Sequence, residues 1–184
     1  MRRRLLPLAV CAVLVGGCES DEPQSMAPTR AVSQKALEGA PAPLAALHDQ
    51  GSELLKGGAV AFEQRLERLE GYPVVVNKWA SWCGPCRLEF PFFQSQAVKH
   101  GKRVAFLGVD GVDPEAEAEE FLAEYPVTFP SYVDPDEKVA SVIEAAGAYP
   151  QTVFYDPRGE IVHVRAGPYS DEQDLAEDIE RYAR

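Results

Sequence analysis

Val74-Val75-Val76-Asn77-Lys78-Trp79-Ala80-Ser81-Trp82-Cys83-Gly84-Pro85-Cys86-Arg87-Leu88-Glu89 is the stretch on which the reading of this 184-residue chain turns. Val74 to Trp79 is a nearly continuous apolar run, which predicts a central strand buried on both faces. Arg87 to Val98 reads as a helix, bent at Pro91 because proline lacks the N–H and clashes with the preceding turn. Cys83 and Cys86, separated by two residues at that helix start, can close a small disulfide and reopen it. A thiol at a helix N-terminus faces unsatisfied N–H groups and the positive end of the dipole, which favour the thiolate, the reactive form. The competing readings are a fixed disulfide or half of a metal site. A zinc site would need two more ligands, and His48, His100 and His163 are scattered without ligand spacing; no metal is expected.

Outward from this stretch the pattern alternates helix and strand, the signature of an α/β sheet. Ala59 to Leu69 carries Phe62, Leu66 and Leu69 at helical spacing. Val104 to Val109 is the next buried strand. Asp113-Pro114 predicts a helix through Glu124, with Asp as N-cap and Pro in the first position. Asp134-Pro135-Asp136-Glu137 repeats the device before a helix ending at Gly147. Ser131 to Val133 is a short strand between them. Thr152–Tyr155 and Ile161–Val164 form a hairpin around Asp156-Pro157-Arg158-Gly159, and Ser170 caps the last helix with Gln173 in the capping-box place.

Trp79 to Cys86 resembles the thioredoxin active-site segment. Two further matches carry the resemblance: Pro91, five residues after the second cysteine, and Tyr149-Pro150-Gln151-Thr152 before the apolar run Val153-Phe154-Tyr155. The closer likeness is to the membrane-tethered TlpA/ResA-like branch, because Asn77 stands where cytoplasmic thioredoxins have a buried aspartate and Glu89 matches a glutamate characteristic of that branch. Lys78 departs from the apolar residue usual there. The resemblance implies a thioredoxin-like α/β fold, a central mixed sheet flanked by helices. It also implies a cis peptide before Pro150, and Gly84-Pro85 between the cysteines points to the reducing end of the family.

The residue roles follow from that resemblance. Cys83 attacks a partner's disulfide and Cys86 resolves the mixed disulfide. Glu89 takes the Cys86 proton; the competing reading is a solvated helix carboxylate. Trp82, Gly84, Pro85, Tyr149 and Pro150 form the substrate-facing surface. Trp79, Tyr132, Tyr155, Phe90, Phe92 and Phe93 read as packing, and His163 as structural. The redox-active Cys83–Cys86 pair requires no other cofactor.

The N-terminus reads as an address. Arg2-Arg3-Arg4 precedes an apolar run from Leu5 to Val15 that is too short for the ~20 residues a bilayer needs and fits a signal peptide. Leu14-Val15-Gly16-Gly17-Cys18 resembles a bacterial lipobox, so residues 1–17 read as a lipoprotein signal peptide and Cys18 as the lipidated mature N-terminus. Ordinary secretion is the alternative. Cys11 then leaves with the signal, and Cys83 and Cys86 remain as the only redox pair, in a compartment that permits disulfides. Losing residues 1–17 removes three arginines and no acid, taking the net charge from −11 to −14. Such a surface argues against nucleic acid and against electrostatic docking to anionic lipid; the membrane link must come from the lipid anchor. Residues 18–37, poor in large apolar groups, read as a flexible, disordered tether. Residues 38–184 form the domain, with 38–58 as a possible N-terminal extension.

The expected activity is therefore an extracytoplasmic thiol–disulfide oxidoreductase that reduces protein disulfides, apocytochrome c among the implied substrates, with electrons from a membrane thiol-reducing donor. The alternatives are a disulfide oxidant or isomerase for secreted proteins, a peroxide-reducing relative, and a thioredoxin-fold binding module. The intact second cysteine and Trp82 argue against the peroxide reading. The retained cysteines and Pro150 argue against the binding module.

Overall fold

The computed structural model describes residues 28–184. Cys11, the 1–17 signal segment, the lipidation candidate Cys18 and the first half of the expected tether therefore lie outside the described residues. In chain order the elements are α1 (Arg30–Leu37), α2 (Ala42–His48), β1 (Leu54–Leu55), α3 (Gly58–Arg68), β2 (Val74–Trp79), α4 (Gly84–His100), β3 (Ala105–Gly111), α5 (Glu115–Glu124), β4 (Ser131–Asp134), α6 (Lys138–Val142), β5 (Gln151–Tyr155), β6 (Ile161–Ala166) and α7 (Glu172–Tyr182). The strands form one mixed sheet in the order β1-β4-β3-β2-β5-β6. β2 lies parallel to β3 and antiparallel to β5, so the strand that delivers the cysteines is central, as its apolar run requires.

Side-chain alternation along β2 divides the interior into two cores. Val75 and Trp79 point to the face covered by α4, α5 and α7, where Trp79 stacks on Phe121 at 4.7 Å and meets Phe90 edge-on at 5.2 Å. Val74 and Val76 point to the other face, with Leu44 and Leu47 of α2, Phe62 of α3 and Val139 of α6. The same alternation sends Asn77 toward α4 and Lys78 the opposite way. The Trp79 indole needs a glycine at 108 on β3: a Cβ there would lie 3.0 Å from the indole Nε1 and 2.0 Å from Ser131 Oγ, to which that nitrogen donates.

Four local expectations are corrected. Within the segment read as tether, Arg30–Leu37 is a helix; Ser33 and Leu37, one turn apart, are buried against α4, and Gln94 Nε2 donates to Ser33 Oγ. Few apolar residues suffice because only this narrow face is covered. Residues 38–58 supply α2 and β1, with Leu44 and Leu47 fully buried. Asp113 does not cap α5, whose N-cap is Pro114; its carboxylate turns instead to Ser81. The helix expected to end at Gly147 stops at Val142, because Glu144 adopts a left-handed φ of 58°. Asp134 still serves that helix at a distance, accepting from the N–H groups of Val139 and Ala140. Finally, Asp171 rather than Ser170 caps α7, accepting from Asp174 N–H at 3.0 Å, and Gln173 donates to Glu177.

Candidate functional site: a dithiol at the head of a central helix

Cys83 is the N-cap of α4, and the Cys86 N–H donates to its sulfur at 3.2 Å. The two sulfurs are joined, with Cα atoms 5.3 Å apart. Cys83 keeps 4% exposure and Cys86 none, so an approaching protein can reach only the first. Around Cys83 the surface is apolar: Trp82 and Val112 are about half exposed, and Gly84 and Pro85 are exposed. Trp82 Nε1 donates to Val112 O, and its ring meets Tyr149 at 5.0 Å. The Tyr149–Pro150 peptide is cis, as expected.

The loop before Cys83 is pinned from both sides. Asp113 accepts from the Ser81 N–H and, at 2.8 Å, from the Ser81 hydroxyl. Arg87 donates to Ser81 O and lies over the rings of Phe121 and Tyr125. Behind Asp113 stands Asp110, buried at the end of β3. Burial, then the hydrogen bond to Asp113 and the charges of Asp113 and Asp134, push its carboxyl up to about 8. Near neutrality Asp110 is therefore protonated and can donate to its neighbour.

Glu89 is fully buried one turn below Cys86, which rules out the reading of a solvated helix carboxylate. Asn77 Nδ2 donates to one carboxylate oxygen at 2.8 Å and the Tyr169 N–H to the other at 3.0 Å. Burial raises Glu89 to about 7, against the opposing pull of those two hydrogen bonds and of Arg165. A carboxyl poised there can exchange a proton at physiological pH.

The structure thus gathers Trp82, Cys83, Gly84, Pro85, Cys86, Tyr149 and Pro150 on one edge, with Glu89 immediately beneath. The sequence reading missed three participants. Asp110 had a signal, since a charged residue inside a buried strand demands a partner. Asp113 was assigned a different partner, and Tyr169 acts through its backbone N–H, which no side-chain pattern reveals. Among the described residues no group of three metal-ligating side chains converges, and no helix is long and apolar enough to cross a membrane.

A βαβ unit followed by a hairpin, with a Cys-x-x-Cys pair heading the helix of that unit and a cis proline following the Tyr149 that packs on Trp82, defines a thioredoxin-like redox protein. The comparisons agree with that class. Residues 39–164 match the AhpC/TSA family. The thiol-disulfide oxidoreductase ResA of Oceanobacillus iheyensis is 34% identical over 106 residues, covering 56% of this chain and 54% of the relative. ResA of Bacillus subtilis is 30% identical over 132 residues, covering 71% and 68%. The solved structure of MTB dsbF superposes with a TM-score of 0.57 at 33% identity, covering 62% of this chain and 84% of that one. The chain belongs to the AhpC/TSA family and, within that thioredoxin fold, to the ResA-like thiol–disulfide oxidoreductases. The match spans between about half and two thirds of the length of the first of these curated relatives.

Proposed function

We propose that this protein is an extracytoplasmic thiol–disulfide oxidoreductase that reduces disulfides in other proteins through Cys83 and Cys86. The observation that carries the reading is the division of labour at α4: one sulfur at an apolar surface, its partner buried above a carboxyl that titrates near neutrality. The Cys83 thiolate attacks a partner disulfide, forming a mixed disulfide and expelling the first partner sulfur as thiolate. Cys86 gives its proton to Glu89 and attacks Cys83 Sγ. The bond to the partner breaks and the second partner sulfur leaves as thiolate. Two electrons have passed to the partner, and the Cys83–Cys86 disulfide is the oxidised product, the form present here.

The backbone N–H and C=O of Tyr149 have no backbone partner among the described residues. Beside Trp82 they suit pairing with an extended partner segment, as an added strand would use them. Reduction of protein disulfides consumes two electrons per turnover, so a thiol donor must restore the dithiol, and we assign that role to a membrane thiol-reducing protein. The lipobox-like segment ending in Cys18 supports placement at the outer face of a membrane. Apocytochrome c cysteines are one partner class in this proposal. The oxidant alternative differs in potential: a reductant lies near ~−270 mV and a strong oxidant near ~−120 mV. Insulin reduction by the wild type and by Cys83→Ser tests the reading. The wild type precipitates the insulin B chain and the variant does not; equal activity of the two contradicts a redox role.

A further inference from the structure

We propose that Lys78 is a positioning residue for partner binding: through Glu137 it fixes the Tyr149 strap beside Cys83. The proposal rests on the oxidoreductase reading above. Lys78 is fully buried near the C-terminal end of β2, where an ammonium is costly unless each donor is used. Its Nζ donates to Glu137 Oε1 at 2.7 Å, to Ala145 O at 2.8 Å and to Ala148 O at 3.4 Å, and it lies 3.8 Å from the centroid of the Tyr149 ring. Three of these contacts are with the segment between α6 and β5, and the fourth is with Glu137 at the head of α6.

Ile143 and Ala145 anchor the start of that segment in the core, but the stretch after them has little else to hold it. Ala146, Gly147 and Ala148 are exposed and nearly devoid of side chain, so no apolar burial fixes their path. Order must come from hydrogen bonds to the backbone. Gln151, the register partner of Lys78 on β5, adds bonds to Ala145 O at 2.7 Å and Ala148 O at 3.0 Å. Glu137 carries the tie onward: its Oε1 also accepts from the Tyr149 hydroxyl at 2.9 Å. The same hydroxyl sits over Gly111, where a Cβ would come within 2.1 Å of it. Tyr149 in turn meets Trp82, the neighbour of Cys83. A connected path therefore runs from the buried ammonium to the exposed indole without passing through either sulfur.

The consequence is separable from thiol chemistry. An apolar residue at 78 leaves Cys83, Cys86 and Glu89, which stand on the opposite face of β2, with all their contacts. It frees the strap, whose ordering must then be supplied at the moment a partner docks. Lys78→Met in the full chain tests this with three readouts: insulin kinetics, the rate at which the reduced protein attacks the small disulfide 5,5′-dithiobis(2-nitrobenzoate), and the melting temperature. The expected result is a rise in KM for insulin of about three- to tenfold, the size expected from re-ordering a short loop, with kcat and the small-disulfide rate within about twofold. A folded variant with unchanged KM, or one in which the small-disulfide rate falls in parallel, overturns the proposal. Tyr149→Phe keeps the ring and removes only the hydroxyl held by Glu137, so it decides the matter if Lys78→Met does not fold. Its insulin KM rises in the same sense, and an unchanged KM contradicts the tie. A wild type that does not reduce insulin refutes the oxidoreductase reading instead, so the two failures are distinct.

Discussion

The side-chain amide of Asn77 donates to the Glu89 carboxylate at 2.8 Å, linking the central strand to the helix that carries both cysteines. Because Asn77 does not titrate, the acid of this buried pair is Glu89, placed one turn after Cys86. Removal from water favours its neutral form, while the bonds from Asn77 and Tyr169 favour the charged one, and burial wins.

The rate of disulfide reduction should therefore rise with pH through about 7 in the wild type, since only the ionised Glu89 accepts the Cys86 proton. Glu89→Gln removes that acceptor and keeps the shape. We expect insulin reduction to fall by roughly a hundredfold, the lower end for a lost proton-transfer group, and the inflection near 7 to disappear. A pH–rate profile unchanged by the substitution would falsify the assignment.

Asp110 makes a prediction about stability. Its folded-state value, about 8, lies above that of an unfolded aspartate. The folded protein thus binds the proton more tightly, so stability is full below the unfolded value and is lost as pH rises through about 8. Asp110→Asn mimics the protonated acid and still donates to Asp113. Urea unfolding of the oxidised protein at pH 6 and pH 9 should show the wild type losing at least about 1.4 kcal/mol more than the variant, the worth of one pKa unit. Equal losses would mean that Asp110 is not protonated in the fold.

Cys86→Ser removes the resolving sulfur and leaves Cys83 intact. Incubated with a protein disulfide, this variant should accumulate a covalent adduct that runs as a larger species without reductant and collapses with it. Cys83→Ser should form none. An adduct of similar yield from Cys83→Ser would reverse the roles of the two cysteines.

What the sequence reveals here depends on how local the cause is. β2 coincides with Val74–Trp79, and α4 starts at the cysteines, because an unbroken apolar run and a motif at its end are both nearest-neighbour information. The cysteine pair and the expected cis proline came from motif likeness. The losses came from partners distant in sequence. Asp113 has the composition of a helix cap, yet Ser81, 32 residues earlier, offers its carboxylate two donors at once. Tyr169 reaches Glu89 across 80 residues through a backbone N–H that any residue could supply. Lys78 stood out as an oddity in the strand, but its partner Glu137 is 59 residues away. The helix at Arg30–Leu37 was missed because its buried face is only Ser33 and Leu37, too little to register as a periodic apolar pattern.

The most direct test of the central claim, that Cys83 is the attacking sulfur, is limited alkylation of the reduced protein. Brief treatment with iodoacetamide near neutral pH, followed by peptide mapping, should place the label on Cys83 and leave Cys86 free. Label on Cys86, or shared evenly between the two, would contradict the account.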